Sequence, residues 1–180
     1  MKIRTTTILR LRDSMLESGR RPSVVVSPAY ETLARAGLLS MEETTALTRI
    51  EPLAETMFLM VAADGKIADE ERDALRGAVR GLCNDLLRSG TINVMLENFQ
   101  QRLEEHGRDE RLREIAEELS EHPSDAESAF TLAAAVALAD DDVADEEQDF
   151  INQLADWLGI TGERASEILD QLEADRQANE

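Results

Sequence analysis

Apolar residues recur along this chain at three- and four-residue intervals, and no stretch alternates every second residue as a half-buried strand would. The pattern predicts helices alone. A first amphipathic stretch from about Thr6 to Ser18 puts Ile8, Leu11, Met15 and Leu16 on one side, and Gly19 can end it. Arg20 to Ser27 reads as a linker, after which Ser27-Pro28 offers an N-cap and a proline at the first helical position. The short helix it opens runs through Leu33 and stops near Gly37. Ser40-Met41-Glu42-Glu43 has capping-box spacing, and Pro52 is expected to break or restart the helix that begins there.

A run from Leu53 to Ala63 follows, then Leu75, Ala78, Val79, Leu82, Leu86 and Leu87 at helical spacing up to Ser89-Gly90. Thr91 is placed as the cap of a helix reaching about His106, and Asp109 to Glu121 makes another. Pro123-Ser124-Asp125-Ala126-Glu127 again has the capping-box form and launches a second apolar run. Ile151, Leu154 and Leu158 continue to Gly159, and Thr161 opens a last helix whose apolar face is Ala165, Ile168, Leu169 and Leu172. The expected fold class is all-α, a compact bundle of about eight or nine short helices.

Between the paired runs one acidic phrase occurs twice. Ala63-Asp64-Gly65-Lys66-Ile67-Ala68-Asp69-Glu70-Glu71-Arg72-Asp73 matches Ala139-Asp140-Asp141-Asp142-Val143-Ala144-Asp145-Glu146-Glu147-Gln148-Asp149 at seven of eleven positions. An apolar run precedes each copy and an amphipathic run follows it, so the duplicated unit is a helix-loop-helix with carboxylates at its corner. Gly77 and Gly81, at small-xxx-small spacing after the first corner, predict close packing of two soluble helices, and Trp157 at the place matching Gly81 is expected in the core.

Charge sharpens this picture. The net charge is −19, yet residues 1–22 carry six basic residues against two acidic ones, and from Glu114 to Glu163 fifteen carboxylates occur without a single Lys or Arg. Such a surface repels phosphate backbones, so nucleic acid is not an expected partner; cations and basic protein surfaces are. The basic start reads first as a packed N-terminal helix, with anionic lipid or the acidic body of another copy as alternative contacts. No signal-peptide apolar region precedes Arg10 and Arg12, and the longest uncharged stretch, Ser128 to Ala139, is too short to span a bilayer. A cytoplasmic protein with no integral membrane segment is expected. Cys83 is the one cysteine and reads as a packed thiol.

Side chains on a helix lean toward its N-terminus, which swings Glu71 and Glu147 back toward the loops carrying Asp64 and Asp140. Oxygen-rich surroundings of this kind suit a hard divalent cation such as Ca²⁺, Mg²⁺ or Mn²⁺. Acidic residues in a first helical turn are equally accounted for by the helix dipole, at about 0.3–1 kcal/mol each, and both readings stand at this point. Asp64-Gly65-Lys66-Ile67 with Glu71 imitates half of an EF-hand loop, but Ala62 and Met60, or Leu138 and Val136, occupy places where that loop needs oxygen ligands. His106 and His122 lie in polar helix-end surroundings, no Ser or Cys has a base nearby in sequence, and no glycine-rich phosphate loop is present. A non-enzymatic protein is expected, with no catalytic residues.

At these residues the chain resembles the TerB family of tellurite-resistance and stress-response proteins. The likeness runs from Leu53-Ala54-Glu55 through Val61-Ala62-Ala63-Asp64-Gly65-Lys66-Ile67 to Glu71, and returns at Ala137-Leu138-Ala139-Asp140 to Glu147. The resemblance implies an all-helical domain of pseudo-duplicated hairpins whose acidic site holds a divalent metal, with Asp64, Glu71, Asp140 and Glu147 as the ligands carried over by position. It implies further a role in tellurite resistance or stress response and contact with a membrane-associated stress complex at the inner face of the membrane. Residues 1–50 are then an N-terminal helical extension with a basic start, and 51–176 the TerB-like domain. Asp141 departs from the family pattern, where glycine is usual. A metal-independent scaffold whose acidic face binds a basic protein is the alternative.

Overall fold

A computed structural model describes residues 5–17, 28–65, 67–120, 122–139 and 145–177, with side chains throughout these ranges except at Thr5, residues 14–17, Pro28, Ala29, Glu31, Asp64, Asp145 and Glu146. The expected linker 20–27, its Ser27 cap and the apolar contributions of Met15 and Leu16 therefore lie outside the described set. The described residues form α1 (Thr5–Glu17), α2 (Pro28–Arg35), α3 (Met41–Val61), a 3₁₀ turn (Ala62–Asp64), α4 (Asp69–Leu82), α5 (Ser89–His106), α6 (Arg108–Leu119), α7 (Pro123–Ala137), α8 (Asp145–Trp157) and α9 (Gly162–Gln177). No strand occurs among them. The all-α expectation holds.

The two apolar runs become the central pair. α3 and α7 make the most extensive helix contact in the fold, and each packs on the amphipathic helix that follows its acidic corner, α4 and α8. The duplication seen in sequence is thus a pair of helical hairpins joined through their first helices. Both central helices are buried nearly all round over their apolar runs, Leu53 to Val61 in α3 and Ala129 to Ala134 in α7. The helices α5 and α6 close one side of α3, where the Phe58 and Phe99 rings tilt against each other at a centroid distance of 5.7 Å.

Pro52 does not break α3, contrary to the sequence expectation; the helix passes it and position 51 without interruption. A mid-helix proline costs about 3 kcal/mol. Here Leu53, Met57, Phe58, Leu59 and Met60 are fully buried just beyond it, at about 1.5–3 kcal/mol each, which outweighs that cost. Two smaller corrections concern caps. Ser124 lies inside α7, where its carbonyl accepts the Ser128 hydroxyl; the first turn is instead closed on the His122 carbonyl by the Asp125 and Ala126 amides. Thr91 likewise sits inside α5, which already starts at Ser89, and is buried there. At Ser40 the predicted capping box is formed: the Ser40 hydroxyl accepts from the Glu43 amide at 3.1 Å and the Glu43 carboxylate accepts from the Ser40 amide at 2.7 Å.

α1 is a packed helix. Ile8 and Leu11 are buried, α1 contacts α4 and α7, and Arg10 reaches Asp175 on α9 at 3.0 Å. The close approach expected at the glycines occurs at one of them: a Cβ on Gly81 would stand 2.7 Å from Ile8 Cγ2, whereas one on Gly77 would meet nothing within 4 Å. Trp157, expected in the core, is half-buried against its edge.

Candidate functional site

The first acidic corner is built from three local devices. The 3₁₀ turn tightens the end of α3, and Gly65 closes it in the left-handed region with φ +87°, its amide donating to the Ala62 carbonyl at 3.0 Å. Ile67 then turns inward, half-buried against the core. Ala68 is extended and opens α4, whose first turn holds Asp69, Glu70 and Glu71. Glu71 leans back as helical geometry requires: its Oε2 accepts the Ala68 amide at 2.7 Å. One predicted ligand therefore already serves as a helix cap, with its other oxygen outside that bond.

At the second corner, α7 ends in a turn in which the Leu138 and Ala139 amides donate to the Ala134 and Val136 carbonyls. Glu147 is half-buried in the first turn of α8. Asp140 and its neighbours through residue 144, Asp141 included, lie outside the described residues, as does the Asp64 side chain. Among the described residues no group of three or more Asp, Glu, His or Cys side chains is arranged to hold a metal ion.

The tertiary fold packs the 3₁₀ turn of the first corner on α8, the helix that follows the second. It also brings cations from outside the two phrases. Arg108, at the start of α6, stacks over Phe150 of α8 at 5.5 Å and, with His106, Gly107, Asp109 and Glu110, lines an open cavity of about 550 Å³ against Ala62 and Ala63. Arg176 of α9 donates to the Leu138 carbonyl at 3.4 Å, just before the second phrase. Neither arginine was singled out in the sequence, since both come from other helices.

A second polar cluster, to which the sequence analysis did not point, lies where α3, α5 and α6 meet. Glu55 is 1 % exposed and accepts from Arg102 Nη1 at 2.8 Å, Arg111 Nε at 2.8 Å and Arg111 Nη2 at 3.0 Å. Arg102 also holds Glu51 at 2.7 Å, Arg111 pairs with Glu114, and the Arg102 guanidinium lies over the Phe99 ring. Burial pushes the Glu51 carboxyl up, with Arg102 opposing, and burial likewise raises the nearby Tyr30 hydroxyl. The available signal was the single carboxylate of Glu55 inside an apolar run; its arginines are about fifty residues further along the chain.

An all-helical bundle with a duplicated hairpin and acidic corners defines the class of protein. The family model for tellurite resistance protein TerB matches residues 42–170, and the chain belongs to the TerB family. No curated protein and no solved structure matches it significantly. Among the described residues no helix is long and apolar enough to cross a membrane.

Proposed function

We propose that this chain is a non-enzymatic TerB-type module that binds a divalent cation, Ca²⁺, Mg²⁺ or Mn²⁺, through Asp64, Glu71, Asp140 and Glu147, and that serves tellurite resistance or a related stress response. The observation that carries the reading is the packing of the first corner's turn on α8, the helix whose first turn holds Glu147. Like charges about 4 Å apart at an effective dielectric near 20 repel by roughly 4 kcal/mol, a cost that a bound cation removes. Calorimetric titration with Ca²⁺, Mg²⁺, Mn²⁺ and Zn²⁺ tests it against a variant with amides at all four positions. The expected result is a saturable heat and a thermal shift that the variant lacks; absence of both in the unaltered protein discards the metal.

The capping bond from Glu71 to Ala68 favours a second reading, a metal-independent scaffold whose acidic face docks a basic protein surface. In that case capture of the partner survives chelator and weakens steeply with salt, because exposed charge pairing is screened. Either module suits the cytoplasm, with attachment to a membrane-associated stress complex at the inner face of the membrane.

A further inference from the structure

Arg108, the first residue of α6, lies between the turn of the first acidic corner and α8, the helix that opens at the second. On one side it lines the open cavity with Ala62 and Ala63, and Asp64 follows one residue later, a Cα step of about 3.8 Å. On the other side its guanidinium lies over the Phe150 ring, 5.5 Å from the centroid. Phe150 shares a face of α8 with Glu147, which stands one turn earlier, about 4.5 Å back along the axis.

Packing, rather than an acid, holds this arginine in place. Phe150 is buried, so its ring is a fixed platform for the guanidinium. The adjacent Asp109 carboxylate is 3.6 Å away, beyond hydrogen-bonding length, and among the described residues the guanidinium makes no hydrogen bond. The Arg108 side chain is 34 % exposed, so water meets its N–H donors while its charge acts on the surroundings. The first acidic phrase contains Lys66 and Arg72, but the second has no Lys or Arg of its own, and the charge beside it comes from another helix. A guanidinium so placed eases carboxylate repulsion when no metal is bound and opposes the ion when one arrives.

We infer that Arg108 is a counter-cation built into the fold, which weakens divalent-cation binding at the acidic corners and so sets the concentration at which the ion binds. The inference rests on the cation site proposed above and adds the residue that tunes it. Asp109 and Glu110 line the same cavity, but they are unaltered when Arg108 is replaced, so the local field changes by one positive charge.

The test is calorimetric titration of the full chain with Ca²⁺ and Mn²⁺ at one fixed ionic strength, repeated on Arg108→Gln, Arg108→Met and Arg108→Lys. The first two variants remove the charge, and Arg108→Met still covers the Phe150 ring; circular dichroism and the urea midpoint report that each is folded. Arg164→Gln removes the same charge beside Glu127, about 15 Å along α7 from its C-terminal end, and controls for net charge. Both uncharged variants at position 108 should bind about tenfold more tightly than the parent, with Arg108→Lys and Arg164→Gln close to the parent. Saturable heat in the two uncharged variants alone, absent from the parent, would support the inference equally. Parental affinity in both uncharged variants overturns it and leaves the cation site standing, as does an equal gain in Arg108→Lys or Arg164→Gln. No saturable heat in the parent or in any variant removes the cation site and this inference together.

Discussion

Arg111 grips Glu55 with two parallel hydrogen bonds, Nε to Oε1 at 2.8 Å and Nη2 to Oε2 at 3.0 Å, in the least exposed charged pair described in the fold. The two residues come from α3 and α6, so the pair ties the central helix to its neighbour. Removing Glu55 takes the shared acceptor from both Arg102 and Arg111, and removing Arg111 leaves the buried Glu55 with Arg102 alone; breaking a buried charge network in this way costs up to about 3–5 kcal/mol. Glu55→Ala should lower stability by about that amount in urea unfolding and Arg111→Ala by less, since Arg102 still holds Glu55, and the two combined by less than the sum. A loss below about 1 kcal/mol would show that the pair is not a tie. By contrast Arg164→Ala, which breaks the exposed pair with Glu127, should leave the urea midpoint nearly unchanged.

The two helix-α4 glycines should respond with opposite sign. Gly77→Ala adds a methyl in open space within a helix and should stabilise by about 0.5–1 kcal/mol. Gly81→Ala offers the same helical gain but drives its Cβ toward Ile8 Cγ2, so α1 must shift; net destabilisation and faster hydrogen exchange in α1 are expected. Equal stabilisation by both would mean that α1 does not dock as described.

Acid should reveal the cap of α3. Hydrogen bonds from Arg88, then the Ser40 amide, hold the Glu43 carboxyl down at about 2, well below its ordinary 4.5. An unfolded chain binds that proton at higher pH than the folded one, so the stabilisation is full above about 4.5 and is lost as pH falls from 4.5 toward 2. Urea midpoints measured across this window should fall less steeply for Glu43→Gln than for the unaltered protein. Glu51, raised by burial, has the opposite sign: its contribution is present at low pH and fades as pH rises.

Glu71 allows capping to be separated from ion binding. In Glu71→Gln the amide oxygen can still accept the Ala68 amide while the charge is gone; Glu71→Ala loses both. Without added cation, Glu71→Ala should cost about 0.5–2 kcal/mol and Glu71→Gln almost nothing. With Ca²⁺ or Mn²⁺ present, both variants should lack the thermal shift of the parent. If Glu71→Gln retains the full shift, this residue is no ligand.

Helix existence was legible because apolar spacing and end signals agreed along most of the chain, as in the Ser40 and Glu43 capping box or Gly159 ending α8. Where local signals misled, as at Pro52, Ser124 and Thr91, burial or the neighbouring turn outweighed a preference of one or a few kcal/mol. The candidate site was half legible. Glu71's backward reach follows from helix geometry alone, but no pattern pointed to Arg108 stacking on Phe150, or to Arg102 and Arg111 converging on Glu55.

By itself, then, the sequence determined the all-helical class, the duplicated hairpin and the acidic character of its corners, because periodicity, turn chemistry and charge are properties of neighbouring residues. Only the tertiary structure decided that α3 and α7 pair at the centre, that the first corner's turn rests on α8, and which arginines neutralise the buried carboxylates. Those outcomes depend on which surfaces best fill space and pair charge between segments tens of residues apart, and one-dimensional spacing carries no measure of that fit.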